Sequence, residues 1–167
     1  MTGFSLRLAR PADAEAGAHL HLACWHEAYT GLIAPEKLDP LLADPETWIA
    51  SWRRHLAAAA PRWLAETAWG ELVGFASAGP DRMAESPLGL ELYAIYARQA
   101  WHGSGVGQSL LDAAVGDLAC SVWVLEVNPR ARAFYARNGF EPDGTREYDD
   151  RLGAWEVRLV RNEVESR

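Results

Sequence analysis

The chain has few lysines, few cysteines and no long apolar run. Its 167 residues carry a formal net charge of -7, and Lys37 is the sole lysine, with arginine supplying the other positive charges. A nucleic acid or an anionic membrane surface requires a basic face on its protein partner. We therefore expect neither nucleic acid nor a membrane as a partner.

The sequence also lacks the patterns of disulfide and metal frameworks. Cys24 and Cys120 are too few for a disulfide framework and have no metal-ligand spacing, so we expect buried free thiols. His19, His21 and His26 lie on one predicted helix, but no pair has the i, i+4 spacing of a helical metal site. We predict no metal.

Long apolar segments are missing as well. The longest apolar region, residues 110–127, contains three acidic side chains, whereas a transmembrane helix needs about 18 uninterrupted apolar residues. The first fifteen residues lack the apolar stretch of a signal peptide. We therefore expect a soluble, cytoplasmic protein with a single domain over residues 1–167, and we leave a homodimer open.

Periodicity in the first half predicts two helices after a short strand. Residues 5–9 alternate like a strand, and Pro11 suits the first turn of a helix that extends to Tyr29. A second helix is expected over residues 45–59. The connection between the two helices is rich in turn formers and predicts at most one short helical turn.

The second half alternates strands and helices. Residues 62–68 and 72–78 predict a hairpin, and residues 88–97 predict a central strand that is buried on both faces. The remaining predictions are helices at 105–118 and 129–138 and strands at 122–127, 141–147 and 154–160.

Three glycines directly follow the predicted central strand. The segment AWHGSGVGQSLL, residues 100–111, joins that strand to a helix. Glycine lets the backbone turn its N–H groups toward an anion, and a helix N-terminus adds unpaired donors and a partial positive charge. The segment therefore predicts an anion site, with a glycine turn that joins any strand to any helix as the simpler alternative.

Two common nucleotide sites do not fit this segment. A P-loop needs Gly-Lys-Ser/Thr, and no lysine is near. A dinucleotide fingerprint needs a third glycine where Gln108 stands, although Glu126 lies at the right distance for a ribose-binding acid. A nucleotide-binding oxidoreductase is therefore only a distant third hypothesis.

Two motifs together give the chain a family resemblance. The stretch HGSGVG, residues 102–107, follows the pattern Gln/Arg-x-x-Gly-x-Gly/Ala with histidine in first place. The stretch VNPRARAFYARNGF, residues 127–140, has an asparagine after a strand and then Phe-Tyr-x-x-x-Gly-Phe. In this order the motifs resemble those of the GCN5-related N-acetyltransferases, most specifically over residues 72–140, and WHEAYTGLI, residues 25–33, is similar to the first helix and loop of some members.

The resemblance implies an α/β fold of the α+β type. Helices flank a mixed, mostly antiparallel central sheet whose central strands splay apart, and acetyl-CoA enters the gap as cosubstrate. The residues implied to bind acetyl-CoA are Ile95, Tyr96, Ala97, Arg98, His102, Gly103, Ser104, Gly105, Val106, Gly107, Asn128 and Tyr135. The alternatives are an exposed surface arginine at Arg98 and a helix cap at Asn128.

The resemblance also implies catalytic roles. A lysine-like amine has a pKa of about 10.4 and must lose a proton before it attacks the thioester carbonyl. We expect Glu91 to accept that proton and to contact the acceptor, with Glu126 as a weaker alternative and an exposed strand-end acid as the simpler reading of Glu91. Tyr135 matches the tyrosine near the departing sulfur, or else is a core residue, and Tyr29 is expected to line the acceptor pocket.

The sequence thus predicts an acetyl-CoA-dependent N-acetyltransferase that works by direct attack. The acceptor is an amine of a small molecule or of a protein N-terminus, and the sequence does not distinguish between them. The alternative is a non-catalytic acyl-CoA-binding regulatory module.

Overall fold

A computed structural model describes residues 3–58, 60–83 and 85–163. Within these residues seven strands form one sheet with the order β1-β2-β3-β4-β5-β7-β6. Neighbouring strands are antiparallel except for the parallel pair β4–β5, which confirms the mixed, mostly antiparallel sheet. The strands are β1 (Phe4–Leu8), β2 (Arg62–Thr67), β3 (Leu72–Pro80), β4 (Leu90–Ala97), β5 (Cys120–Leu125), β6 (Glu141–Asp149) and β7 (Ala154–Arg161).

Helices cover both faces of the sheet. On one face, here called the α1 face, Leu20 and Trp52 pack with Phe75 of β3. On the opposite face, here called the α4 face, Leu111 and Tyr135 pack with Leu92 of β4. The helices are α1 (Ala14–Tyr29), α2 (Pro35–Leu42), α3 (Pro45–Ala57), α4 (Val106–Ala114) and α5 (Pro129–Arg137), with 3-10 turns at Pro11–Asp13 and Gln99–Trp101.

The segment between the first two long helices differs from its prediction. It forms the eight-residue helix α2 instead of one short turn. Pro35 occupies the first turn, where a missing N–H costs nothing, and Leu38 is buried beside Ile33 and Leu125. The burial of Leu38 therefore stabilises a helix that the turn-forming residues of this segment did not predict.

Two helices end earlier than their patterns predict. The helix α4 ends at Ala114, and Gly116 then adopts a left-handed φ of 52° that a helix cannot continue through. The helix α3 ends at Ala57, and Ala59, the last residue of its predicted span, lies outside the described residues.

The central strands of the sheet splay apart. Strands β4 and β5 pair only at Glu91–Ser121 and Leu92–Val122. On its other edge β4 pairs with β3. A register shift between Ser77 and Ala78 of β3 leaves Tyr93 of β4 without a partner residue on β3. The resulting opening between β4 and β5, here called the gap, leaves the second half of β4 partly exposed, so the prediction of burial on both faces is wrong there.

A buried ion network ties the two halves of the sheet together. Arg158 on β7 donates to Asp81 at 2.7 Å and to Asp143 on β6. The hydroxyl of Ser121 on β5 donates to Asp81 at 2.8 Å. Asp81 follows β3 directly, so this network supplements the two residue pairs that join β4 to β5.

Among the helices of the described residues, none has the length and apolar character required to cross a membrane.

Candidate active site

The glycine loop, residues 102–107, lies beyond the end of β4 and leads into α4. Gly103 and Gly105 have φ values of 78° and 91°, and a Cβ atom at either position would meet open space. The backbone N–H groups of Gly103, Gly105 and Gly107 have no acceptor in the described part of the chain. Three free donors at a helix N-terminus fit the diphosphate of acetyl-CoA.

The other loop residues hold this conformation. The Ser104 hydroxyl donates to the Trp101 carbonyl at 2.6 Å, and His102 Nε2 donates to the Ala97 carbonyl at 3.1 Å. Val106 is fully buried in the α4-face core. The side chains of these residues therefore shape the loop, and the loop's free main-chain groups face outward.

Arg98 forms an ion pair that neither sequence-based interpretation included. Its guanidinium lies 2.9 Å from a carboxylate oxygen of Glu27 on α1, and that carboxylate also accepts from the Gln99 amide at 2.7 Å. The hydrogen bond with Glu27 raises the pKa of Arg98. The pair ties the turn before the glycine loop to α1, so Arg98 is not a free surface charge.

One edge of β4 is open toward the gap. Ile95, Tyr96 and Ala97 pair with β3 on one side, and no residue of β5 pairs with them on the other. An unpaired strand edge accepts an extended ligand as an additional strand. The geometry therefore leaves space for the pantetheine arm along this segment.

Phenol groups from both sheet faces approach each other at the gap. The hydroxyls of Tyr29, at the end of α1, and Tyr96 on β4 are 2.7 Å apart. Burial raises the pKa of Tyr29 to about 12. Tyr135 belongs to the core on the α4 face, yet it is close enough to Tyr29 and Tyr96 to interact with them electrostatically.

Tyr135 is a protonated phenol at neutral pH. Burial raises its pKa well above the ordinary value, and Tyr29 adds to this effect. The ring packs edge-on against Phe134 and Phe140. No hydrogen bond of the Tyr135 hydroxyl occurs among the described residues, so this hydroxyl is available to a ligand in the gap.

Asn128 caps helix α5. Its side-chain oxygen accepts from the Ala131 amide at 3.1 Å, as the helix-cap alternative predicted. The cap uses the oxygen only, so the two N–H bonds of the side-chain amide remain for a ligand.

Glu91 is buried and paired. Its exposure is 0%, so the alternative that it is an exposed acid is wrong. Arg82 donates to one carboxylate oxygen from Nε at 2.7 Å and to the other from its backbone amide at 2.9 Å. The Arg82 side chain is 61% exposed, so a solvent-accessible cation covers Glu91.

Glu126, the weaker candidate for the base, lies outside this arrangement. It follows the end of β5 and pairs with Arg146 at 2.7 Å on the surface. The hydrogen bond with Arg146 lowers the pKa of Glu126, which makes this carboxylate a poorer proton acceptor.

The candidate histidine cluster does not form a metal site in the described residues, which contain no group of three metal-ligating side chains suited to an ion. His21 instead packs against the rings of Trp48 and Phe75, and its Nδ1 accepts from Trp52 at 3.2 Å. Burial lowers the pKa of His21 to about 3, so this histidine is neutral.

The structure adds residues that the sequence did not single out. Arg82 covers Glu91, and Trp123 and Glu156 lie on the α1 face beside the gap. Neither motif includes these residues, and their proximity depends on strand pairing over long sequence separations. In the sequence, only the position of Glu156 between the apolar residues Trp155 and Val157 of β7 could have indicated one of these residues.

Comparisons with known proteins agree with this geometry. Residues 59–142 match the family model described as an acetyltransferase (GNAT) domain. The chain is 35% identical over 150 residues to an aminoglycoside N(6')-acetyltransferase type 1 of Stenotrophomonas maltophilia, covering 82% of this chain and 86% of the relative. It is 29% identical over 144 residues to a probable N-acetyltransferase of Mycobacterium tuberculosis, covering 83% of this chain and 80% of the relative.

The fold recurs in a solved structure. The PaiA N-acetyltransferase of Thermoplasma acidophilum in complex with coenzyme A superposes with a TM-score of 0.68 at 19% identity, over 97% of this chain and 99% of that one. The sheet with its splayed strands, the glycine loop and the family match lead to one conclusion: the chain belongs to the GCN5-related N-acetyltransferases and is an acetyl-CoA-dependent enzyme.

Proposed function

We propose that the enzyme transfers the acetyl group of acetyl-CoA to a primary amine of a small molecule by direct attack. The observation that carries this proposal is the gap, which brings Tyr135 from the α4 face close to the Tyr29–Tyr96 pair on the α1 face. The cosubstrate would enter this opening from the side of the glycine loop and place its thioester there. The acceptor would approach the thioester from the α1 face. No covalent enzyme intermediate is then needed.

The glycine loop and β4 would hold the cosubstrate. The free amides of Gly103, Gly105 and Gly107 suit the diphosphate, and the open edge of β4 suits the pantetheine arm. Asn128 would donate to the same arm from its side-chain amide. Acetyl-CoA itself supplies an acyl group that is activated as a thioester.

Glu91 would accept the proton that the amine loses. Arg82 forms an ion pair with the Glu91 carboxylate. Proton transfer therefore requires the exposed Arg82 side chain to move aside or a water molecule to relay the proton. A positive amine that approaches Glu91 favours this displacement because it replaces one cation by another.

Tyr135 would donate a hydrogen bond to the leaving sulfur. Its raised pKa keeps the phenol protonated, so the hydroxyl is a donor throughout the neutral range. As negative charge grows on sulfur, this hydrogen bond strengthens, and the released thiolate takes its proton from water, because the raised pKa of the phenol disfavours full proton transfer from Tyr135.

The relative from Stenotrophomonas maltophilia suggests the first acceptor to test. Its name assigns it an aminoglycoside, which is a polycationic amino sugar. A net charge of -7 on this chain suits a cationic acceptor of the same kind. Kanamycin is therefore the first probe.

Ligand binding and turnover test the proposal separately. We expect acetyl-CoA at ~100 times its Kd to stabilise the protein by about 2.7 kcal/mol in a thermal-shift assay, with no effect of NAD or ATP. Thiol release from acetyl-CoA is then measured with an amine panel that includes kanamycin. Stabilisation without thiol release would indicate a non-catalytic acyl-CoA-binding module, and stabilisation by NAD alone would refute the assignment of the glycine loop.

A further inference from the structure

A second carboxylate, that of Glu156 on β7, lies beside the gap on the α1 face. Glu156 stands directly opposite Leu125 of β5 and two residues after Ala154. Leu125 and Ala154 both pack in the cluster that contains Tyr29. Because directly opposite residues and residues two apart on a strand share a face, the Glu156 side chain points toward Tyr29. Its charge indeed contributes to the raised pKa of Tyr29.

This carboxylate is half-buried and has no partner among the described residues, either as a hydrogen bond or as an ion pair. Burial raises the pKa of Glu156, and the nearby Asp149 and Glu147 add to the rise, whereas Arg82 and Arg151 oppose it. A partly desolvated carboxylate without a partner favours a cation strongly.

An exposed cation already lies close to both carboxylates. Arg82 binds Glu91 at 2.7 Å, and its positive charge also acts on Glu156. Its side chain comes from the loop between β3 and β4 and is largely exposed. The space between Glu91 and Glu156 is therefore suited to positive charge, and a ligand cation competes there with an exposed arginine.

Glu156 lies too far from the reacting amine to act as its base. Neighbouring strands are about 4.8 Å apart, and β7 lies one strand beyond β5 whereas the gap lies on the other side of β5. Glu156 is therefore two strand spacings, roughly 10 Å, across the sheet from β4, the strand that carries Glu91. Trp123, two residues before Leu125 and on the same face, lies on β5, the strand that separates Glu156 from the gap.

We infer that Glu156 binds a second ammonium group of the acceptor while the first amine reacts in the gap. The enzyme therefore selects acceptors with two or more cationic amines separated by about 10 Å, whose apolar or sugar portion lies over Trp123. This inference rests on the proposed function and extends it to the substrate class.

Three acceptors of equal length test the inference. Octamethylenediamine, octylamine and ω-aminocaprylate share an eight-carbon chain with a primary amine at one end, and their other ends are an ammonium, a methyl and a carboxylate group. The two equivalent amines of the diamine account for a factor of two, for which its kcat/KM is corrected. We expect the wild type to favour the diamine in kcat/KM over the other two. In Glu156→Gln the kcat/KM for the diamine falls about tenfold, mainly through KM, and that for octylamine changes less than about twofold.

The matched control is Glu147→Gln, which removes the same charge from the residue directly opposite Glu156 on the exposed edge strand β6. We expect this variant to keep most of the preference for the diamine. Octylamine turnover by each variant reports whether its active site is intact.

The outcomes distinguish a failure of the role inferred for Glu156 from a failure of the proposed function. A diamine preference that survives in Glu156→Gln, an equal loss in Glu147→Gln, or an equal loss for all three acceptors would overturn the role of Glu156 and leave the proposed function standing. Absence of thiol release by the wild type with kanamycin and all three amines would instead refute the proposed function.

Discussion

At the scale of single residues, burial determines what Tyr135 contributes. The phenol is surrounded by Phe134 and Phe140, and its pKa is raised above the ordinary value because the charged form is poorly solvated there. A tyrosine with a lowered pKa would act as a base near neutral pH. Tyr135 is the opposite case, because its phenol stays protonated, as the proposed role of a hydrogen-bond donor requires.

We expect Tyr135→Phe to lower kcat about a hundredfold and to leave the Kd of acetyl-CoA nearly unchanged. The substitution removes the donor to the developing thiolate but keeps the ring in the core. Pre-steady-state thiol release measures the chemical step, and isothermal titration measures acetyl-CoA binding.

The control for this substitution is Tyr148→Phe, which removes a hydroxyl from an exposed tyrosine on β6. It should leave kcat unchanged. Turnover by Tyr135→Phe at the wild-type rate, under conditions in which chemistry limits the rate, would contradict the role of Tyr135.

At the scale of elements, the glycine loop requires glycine because of its backbone φ angles. The surroundings would leave room for a side chain. A Cβ atom at Gly105 would touch nothing within 4 Å, but φ is 91°, a conformation that other residues rarely adopt. A substitution there therefore strains the loop and turns its free amides away from the anion that they are expected to bind.

We expect Gly105→Ala to lose about 1 kcal/mol of stability and to bind acetyl-CoA at least tenfold more weakly, about the value of one hydrogen bond to a charged group. Gly144→Ala is the matched control, because Gly144 has a φ of 88° and equally open surroundings but lies in β6. Denaturant unfolding should show a similar loss of stability for both variants. Equal acetyl-CoA affinities of the two variants would exclude a binding role for the loop amides.

At the scale of the whole molecule, the gap weakens the centre of the sheet. Only two residue pairs join β4 to β5, so the buried network of Asp81, Ser121 and Arg158 supports the connection between the halves. The Asp81 and Arg158 side chains are 2% and 7% exposed. Removal of the Asp81 charge leaves the buried Arg158 with Asp143 as its remaining carboxylate partner, and removal of the Arg158 charge leaves Asp81 buried without a cation.

We expect Asp81→Asn to destabilise the protein by about 2 kcal/mol at neutral pH, because it removes a charged hydrogen-bond partner of Arg158 but leaves Asp143 in place. Burial acts to raise the pKa of Asp81, but the hydrogen bonds around its carboxylate outweigh burial, and the net pKa lies below the usual 3.8. A lowered pKa in the folded state contributes stability that is present above pH 3.8 and is lost as the pH falls through the folded-state value. The difference between wild type and variant should therefore shrink below about pH 4.

Urea unfolding at a series of pH values measures this difference. Asp39→Asn, at an exposed position on α2, is the control and should match the wild type at every pH. A deficit of Asp81→Asn that stays constant down to pH 3 would show that the carboxylate charge does not contribute.

The sequence by itself determined the family and the order of most elements, and it predicted an anion site at the glycine loop. These features reside in short segments: a glycine needs a particular φ, a helix has a fixed period, and Asn128 caps its own helix. It also placed Glu91 on the central strand, but it did not indicate the Arg82 that covers it.

Only the tertiary structure decided which side chains meet at the gap. Tyr29 and Tyr96 are 67 residues apart in the sequence and share a hydrogen bond, and the pairing of β7 with β5 brings Glu156 to the same face of the sheet as Tyr29. Local propensity carries no information about such contacts, because they arise from strand order and from the divergence of β4 and β5. The proposed acceptor side of the site is built from these contacts, and for that reason the motifs indicated the cosubstrate but not the acceptor.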